Sequence, residues 1–350
     1  MSTIDSDAHV IETTATWDYM TPEERAFLPD IFVRSELTPG ARGNQRNEYW
    51  VIEGRLQSKG SNVGAETPQE AREMRDVARR LAHMDELGID VQVLYPSLFL
   101  RPLTREPALE FALARSYNRW LADIWRKGGG RLRWAAVPPL LSLLDIGKVR
   151  DELLFAKEHG ACGIFMCGLE CDRQLTDSYF FPLYKLAGEL DLAVCLHAGV
   201  DHFAVHDSFD GESGFCKFKL PVVGAFHALF IKEIPARFPD VRWGFVEVSA
   251  QWIPYLINDL RLRFRKRGKR LPDKPLAANN MYVACQVTDD FDYILRDAGE
   301  DNLVIGTDYG HRDTSTEIEA LRMVREKGTL APTVVDKILD ANARRLYGLS

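Results

Sequence analysis

The feature that most constrains this chain is a short apolar run followed by a helical segment, repeated eight times. The apolar runs are Thr3–Asp7, Ile89–Pro96, Leu132–Val137, Gly163–Met166, Leu192–His197, Val241–Val248, Met281–Cys285 and Leu303–Asp308. Helical patterns follow them at Pro68–Leu87, Glu106–Lys127, Leu143–His159, Ser178–Leu190, Pro221–Phe238, Ile253–Lys266, Asp289–Asp297, and lastly Thr316–Glu326 with Thr333–Tyr347. In the first of these, Met74, Val77, Leu81 and Met84 share one face at helical spacing. Strands that alternate with helices pair in parallel. Eight such units closing on themselves make a (β/α)8 TIM barrel, an α/β fold of about 250 residues. A doubly wound open sheet would carry a glycine-rich phosphate turn after its first strand, where Asp7-Ala-His9 stands instead.

The chain has 350 residues, expected as one domain over 1–350, and the surplus falls in two places. Residues of about 12–67 are polar but carry Trp17, Phe27, Phe32, Tyr49 and Trp50, too many aromatics for a disordered linker. They are expected to form an insertion, either a cap or an arm contacting a second subunit of a homo-oligomer. A long loop is expected from Ala198 to Leu220. The net charge of −7 argues against general nucleic-acid binding, so the basic run Arg261–Arg270 reads as a solvated helix end. No apolar run is long enough to span a bilayer, and the start MSTIDSD lacks the basic and hydrophobic segments of a secretory signal. Six cysteines form no CxxC pair. Cys162, Cys195 and Cys285 lie in strand-like runs, as reduced core thiols of a cytoplasmic protein would. Cys167 and Cys171 could clip a metal, but no matching pair follows.

In such barrels the chemistry lies where strands end at the C-terminal face. Those ends carry Asp7 and His9 at strand one, His197 at strand five, Glu247 at strand six and Asp308 at strand eight. Each comes directly off an apolar run, where an unpartnered charge is least tolerated. All five are of types that bind divalent metals. His202 and His206 follow His197 closely and could complete a second metal position, bind a substrate carboxylate or belong to a solvated loop. Arg101, after strand two, could pair with an acidic substrate, the alternative being a surface arginine.

Three motifs in this order, Asp7-Ala-His9, Leu196-His197-Ala-Gly and Gly306-Thr-Asp308, resemble the amidohydrolase superfamily. The segments Ala236-Arg-Phe-Pro-Asp-Val-Arg-Trp243 and Trp252-Ile-Pro-Tyr255 are similar to its amidohydrolase-related branch. That branch includes aminocarboxymuconate-semialdehyde-type and benzoate-type decarboxylases as well as hydrolases. The resemblance implies that Asp7, His9, His197 and Asp308 are metal ligands and that Asp308 also handles the proton of a metal-bound water. It suggests His227 as a general acid or base, while His311, close behind Asp308 in sequence, is expected to contact substrate or brace the strand-eight loop.

Two departures matter. The run Ile164–Glu170 has no lysine to bridge two metals, and Glu247 stands where many relatives carry histidine. A carboxylate-rich site suits Mn or Fe, although Zn also accepts carboxylate. Glu247 could bridge a second ion, act as a base or orient a histidine, so one or two ions are open. The leading expectation is hydrolysis of a small or medium organic acid or carbonyl compound by metal-activated water. Non-oxidative decarboxylation is the second. Oxygenation at two irons, with His202 as a further ligand, is the third, and a non-catalytic binding barrel is the fourth.

Overall fold

The computed structural model describes residues 2–36, 45–60, 62–212 and 214–350. Eight parallel strands follow one another around a ring in chain order. They are β1 (Ile4–His9), β2 (Val91–Tyr95), β3 (Leu132–Ala136), β4 (Ala161–Met166), β5 (Ala193–His197), β6 (Trp243–Val246), β7 (Met281–Cys285) and β8 (Leu303–Ile305). The principal helices are α1 (Val77–Leu87), α2 (Pro107–Lys127), α3 (Ile146–Glu158), α4 (Phe181–Glu189), α5 (Leu220–Ile231), α6 (Ile253–Lys266) and α7 (Phe291–Ala298). Further helical segments after β8 end the chain at Asn342–Tyr347. The expected (β/α)8 barrel is therefore the observed fold.

Closure between β8 and β1 depends on main-chain bonds and one buried acid. His9 N donates to Tyr309 O at 2.8 Å, while Thr307 N and Asp308 N both donate to Asp7 O, at 3.1 and 2.9 Å. A Cβ at Gly306 would come within 2.1 Å of Asp7 Cβ, so only glycine lets the two strands approach this closely. Asp5 spans the seam: it accepts from Gln92 Nε2 at 2.9 Å on β2, and from Thr307 N at 2.9 Å and Thr307 Oγ1 at 2.7 Å. Burial pushes its carboxyl up to about 6, although these donors oppose the shift. Between Asp5 and Ala8 the register of β1 against β2 slips by one residue. Such a bulge re-aims the residues beyond it, here Asp7 and His9.

Several expected elements are broken for local reasons. The Pro68–Leu87 pattern holds a short helix, Gln69–Arg72, and then α1. Met74 adopts φ 54° between them, and the Asp76 carboxylate caps α1 by accepting from Arg79 N at 3.0 Å. The Pro221–Phe238 pattern stops at Ile231 and resumes at Ile234–Arg237. Pro235 has no N–H to return to the Ile231 carbonyl, so the helix cannot run through. The insertion is an antiparallel sheet of Asp30–Glu36, Gln45–Ile52 and Arg55–Ser58. It lays Trp50, Ile52 and Gln57 inward and leaves Phe32 and Leu56 exposed. The expected loop 198–220 contains a helix, Phe203–Ser208, and a π-turn, Phe215–Lys219. Cys162, Cys195 and Cys285 are free and buried, as expected. Among the described residues no helix is long and apolar enough to cross a membrane.

Candidate metal centre

The barrel brings Asp7 and His9 on β1, His197 at the end of β5, Glu247 just past β6 and Asp308 past β8 into one buried cluster, which His311 joins. Glu247 and Asp308 both sit at positive φ, 62° and 51°. Left-handed backbone in residues with a Cβ is strained and persists where the surroundings fix it, often at functional sites. Here it turns the two carboxylates over the barrel mouth.

The histidine tautomers are set by their second nitrogens. His9 Nδ1 lies 3.0 Å from Pro96 O, and His197 Nδ1 lies 3.1 Å from Ala198 O. A carbonyl only accepts, so both Nδ1 atoms carry the proton and both Nε2 atoms present lone pairs. Those Nε2 atoms face each other at 3.2 Å. Asp7 Oδ1 is 3.2 Å from His197 Nε2 and 3.5 Å from His9 Nε2, and Asp308 Oδ1 is 3.4 Å from His9 Nε2. The Asp7 oxygen and the two Nε2 atoms are three acceptors aimed at one point, and they repel unless a cation lies between them. Two nitrogens bound to one ion at about 2.0–2.1 Å sit roughly 3 Å apart, which is the spacing seen. The donor set thus fits a divalent metal.

The outer contacts fit it too. Thr316 Oγ1 donates to Asp308 Oδ2 at 2.6 Å, holding the other oxygen toward the cluster. Glu247 Oε2 is buried without a hydrogen bond, which is costly for a carboxylate left without a cation, and Asp308 Oδ1 is buried 2.9 Å from His311 Nδ1. Burial, with Asp308 and Asp313 adding repulsion, pushes the Glu247 carboxyl well above its usual range. Burial pushes Asp308 up to about 6 against the attraction of His311. Burial and the nearby His311 and His197 hold His9 well below the usual imidazole value, so it stays neutral. Arg80, fully buried, donates to the His9 carbonyl at 3.2 Å and stacks on Tyr309, 3.6 Å from the ring centre, which steadies the end of β1.

Two expected site residues lie elsewhere. His202 caps the Phe203–Ser208 helix, accepting from Val205 N at 3.3 Å, and its Nδ1 lies 3.4 Å from Asp172. His227 lies on α5, with Nε2 2.8 Å from Asp259 of α6. Neither joins the clustered ligand atoms among the described residues. Arg101 does reach the site. It lines a cavity of about 540 Å³ that opens onto Glu247, together with Lys217, Lys219, Arg312 and Asp313, and its Nε is buried without a partner. Sequence reading missed Ser97, Thr316 and Glu12. Glu12 accepts from Ser97 N and Leu98 N at 3.0 Å each and so fixes the loop that carries Ser97.

A family model described as amidohydrolase matches residues 4–349. Comparison with curated proteins finds no match. Among solved structures, an amidohydrolase from Mycobacterium avium subsp. paratuberculosis superposes with a TM-score of 0.73 at 19% identity, covering 99% of each chain. The 5-carboxyvanillate decarboxylase of Novosphingobium aromaticivorans, solved with manganese and 4-hydroxy-3-methoxy-5-nitrobenzoic acid, gives 0.67 at 17%, over 99% of this chain and 96% of that one. The 4-oxalomesaconate hydratase of Rhodopseudomonas palustris gives 0.65 at 17%, over 99% and 96%. At these identities the likeness is one of fold.

Proposed function

The chain belongs to the amidohydrolase family, and from that premise we propose that it is a metal-dependent enzyme removing CO₂ from an organic acid without oxidation. The observation that carries this reading is the cation-lined cavity over the buried cluster. Arg101, Lys217, Lys219 and Arg312 line it, and among the described residues none of the four has a carboxylate in ion-pair contact. Lys219 is instead held by Thr314 Oγ1 at 3.0 Å and Ser315 Oγ at 2.7 Å. Of the acids on the same wall, Glu212 accepts from the main chain of its own loop, at Gly214 and Phe215. Asp313 on the same wall faces Lys219, and the remaining excess of positive charge from Arg101, Lys217 and Arg312 suits an anionic substrate. Decarboxylation thereby moves ahead of hydrolysis, the leading expectation from sequence, and manganese in one structural relative suits the oxygen-rich ligand set.

Asp7, His9 and His197 would hold the metal, with Glu247 and Asp308 beside them. A bound divalent ion supplies a Lewis acid that polarises the substrate's oxygens. Arg101 and Lys219 draw the acid group in from the cavity and orient it. The carbon–carbon bond to the carboxylate breaks, CO₂ leaves, and the electron pair stays on the substrate carbon. Asp308, held through Oδ2 by Thr316, takes up a proton from solvent on Oδ1 and passes it to this carbon. Hydrolysis is the second reading, favoured by Asp308 Oδ1, which as a bare carboxylate oxygen could accept a proton from attacking water instead.

The test is CO₂ release from a panel of hydroxybenzoic and unsaturated dicarboxylic acids, with Mn²⁺, Zn²⁺ or Fe²⁺ supplied in turn. CO₂ equal to substrate consumed, abolished by a chelator, is the expected result. No CO₂ together with turnover of esters, amides or lactones would move the assignment to hydrolysis.

A further inference from the structure

We infer that the small apolar cavity walled by Phe99, Leu103, Leu113, Val137, Leu140 and Phe165 is a specificity pocket, and that it takes a short uncharged branch of the substrate acid, of about two or three heavy atoms. The inference rests on the anionic-substrate reading above and deepens it, by naming what the acid carries besides its carboxylate.

The cavity lies next to the metal centre and shares a cation with the larger cavity above it. Phe165 on β4 belongs to both surroundings: it walls the apolar cavity, and its ring centroid is 6.1 Å from that of His197. Arg101 lines the apolar cavity as well as the cation-lined one that opens onto Glu247. Its Nε is buried without a partner. An acid whose carboxylate meets Arg101 therefore has the apolar cavity within reach of its next few atoms.

The wall of the cavity selects against a second charge. Its three acids are turned to main-chain amides: Glu110 accepts from Leu141 N at 2.8 Å, Asp201 from Cys171 N at 2.9 Å, and Glu170 from Cys167 N. That leaves the six apolar side chains, all of them buried, as the surface a ligand meets. Burial also favours the neutral forms of the acids. Among the described residues that line the cavity Arg101 is the only cation, and it is engaged by the substrate's carboxylate. A further anionic group would enter unpaired, whereas an apolar branch gains by leaving water.

Size limits the branch. The cavity holds about 50 Å³, and an apolar cavity of roughly 150 Å³ is what takes a benzene ring. An ethyl group fits and a second ring does not. Leu113, fully buried on α2, and its neighbours are packed too closely to give way without strain.

The experiment is calorimetric titration of the Mn²⁺-loaded full-length protein with benzoate and with ortho-, meta- and para-ethylbenzoate. One ethyl isomer is expected to bind wild type roughly 10–100-fold more tightly than benzoate. Leu113→Phe fills the cavity and is expected to bring that ratio down to about one. Leu103→Ala enlarges it and is expected to move the preference from the ethyl to the propyl group at the same ring position. A general loss of structure does not produce this second shift, so it keeps the test decisive if Leu113→Phe folds poorly. Equal affinity of wild type for benzoate and all three ethyl isomers, or an ethyl preference unmoved by both substitutions, overturns the inference and leaves the proposed function standing. Failure of every one of these acids to bind overturns both, because the carboxylate they share then finds no site.

Discussion

Two groups of buried acids lie under the same barrel mouth and behave in opposite ways. One is the cluster of Asp7, Glu247 and Asp308 with three histidines. The other is Glu110, Glu170 and Asp201, which line a small apolar cavity with Phe99, Leu113 and Phe165. In the second group every acid accepts from a main-chain amide: Glu110 from Leu141 at 2.8 Å, Asp201 from Cys171 at 2.9 Å, and Glu170 from Cys167. No histidine shares that cavity wall. Burial raises all three, with Glu110 pushed up to about 8 and Glu170 held well above its ordinary value by burial and the neighbouring Asp201. These acids brace the loops after β3 and β4, and burial favours their neutral forms. In the first group Glu247 Oε2 has no hydrogen bond and the imidazoles of His9 and His197 turn lone pairs inward, an arrangement that suits a cation. The difference teaches that burial of acids does not mark a site, whereas burial of acceptors without donors does.

The largest effect that could break this contrast is on metal content. His197→Ala removes a lone pair from the centre and opens a cavity where its ring packs against Tyr95. Loss of bound metal and a fall in kcat of about a thousandfold are expected, read by metal analysis and CO₂ release. Retention of both would mean that the cluster is only structural, like its neighbour.

Arg101 sharpens the contrast because it lines the cavities of both groups. Burial lowers its guanidinium from the ordinary value, with Glu12 opposing. If it receives the substrate's acid group, Arg101→Gln raises KM by roughly 10–100-fold, the worth of one charge-assisted contact, and leaves metal content unchanged. An unaltered KM would assign it to the carboxyl cavity as a local counter-charge.

The fold was legible because a period of strand and helix survives any local error; the broken helices at Met74 and Pro235 shift boundaries without touching topology. The centre was legible in Asp7, His9, His197, Glu247 and Asp308, because a polar side chain at the end of an apolar strand is buried at a cost that only a partner offsets. Asp5 obeys the same alternation as Asp7, yet its work is closure of the barrel, which the pattern alone does not distinguish. His227 follows Phe226, which is buried on α5, and one residue's rotation of about 100° carries it off the buried face. That outward turn was readable from helix spacing. Ser97, Glu12 and Thr316 were not, since each acts through a loop whose path depends on contacts distant in sequence.

The smallest expected effect tests the silent group through pH. The Glu110 carboxyl stands at about 8 in the fold against an ordinary 4.5. Below 4.5 both states hold the proton and nothing is lost. Between 4.5 and about 8 the unfolded chain releases it while the fold retains it, so stability falls as pH rises, by up to roughly 1.4 kcal/mol per pH unit from this group. Glu12 and Glu170, also raised by burial, act in the same direction, so the wild-type slope alone cannot isolate Glu110. Glu110→Gln can, because an amide oxygen still accepts from Leu141 N and has no proton to lose. Melting curves between pH 5 and 8 should show a flatter decline for the variant, with CO₂ release and metal content as in wild type. Parallel slopes would mean that Glu110 is already ionised in the fold, and its cavity would then need a cation as much as the histidine cluster does.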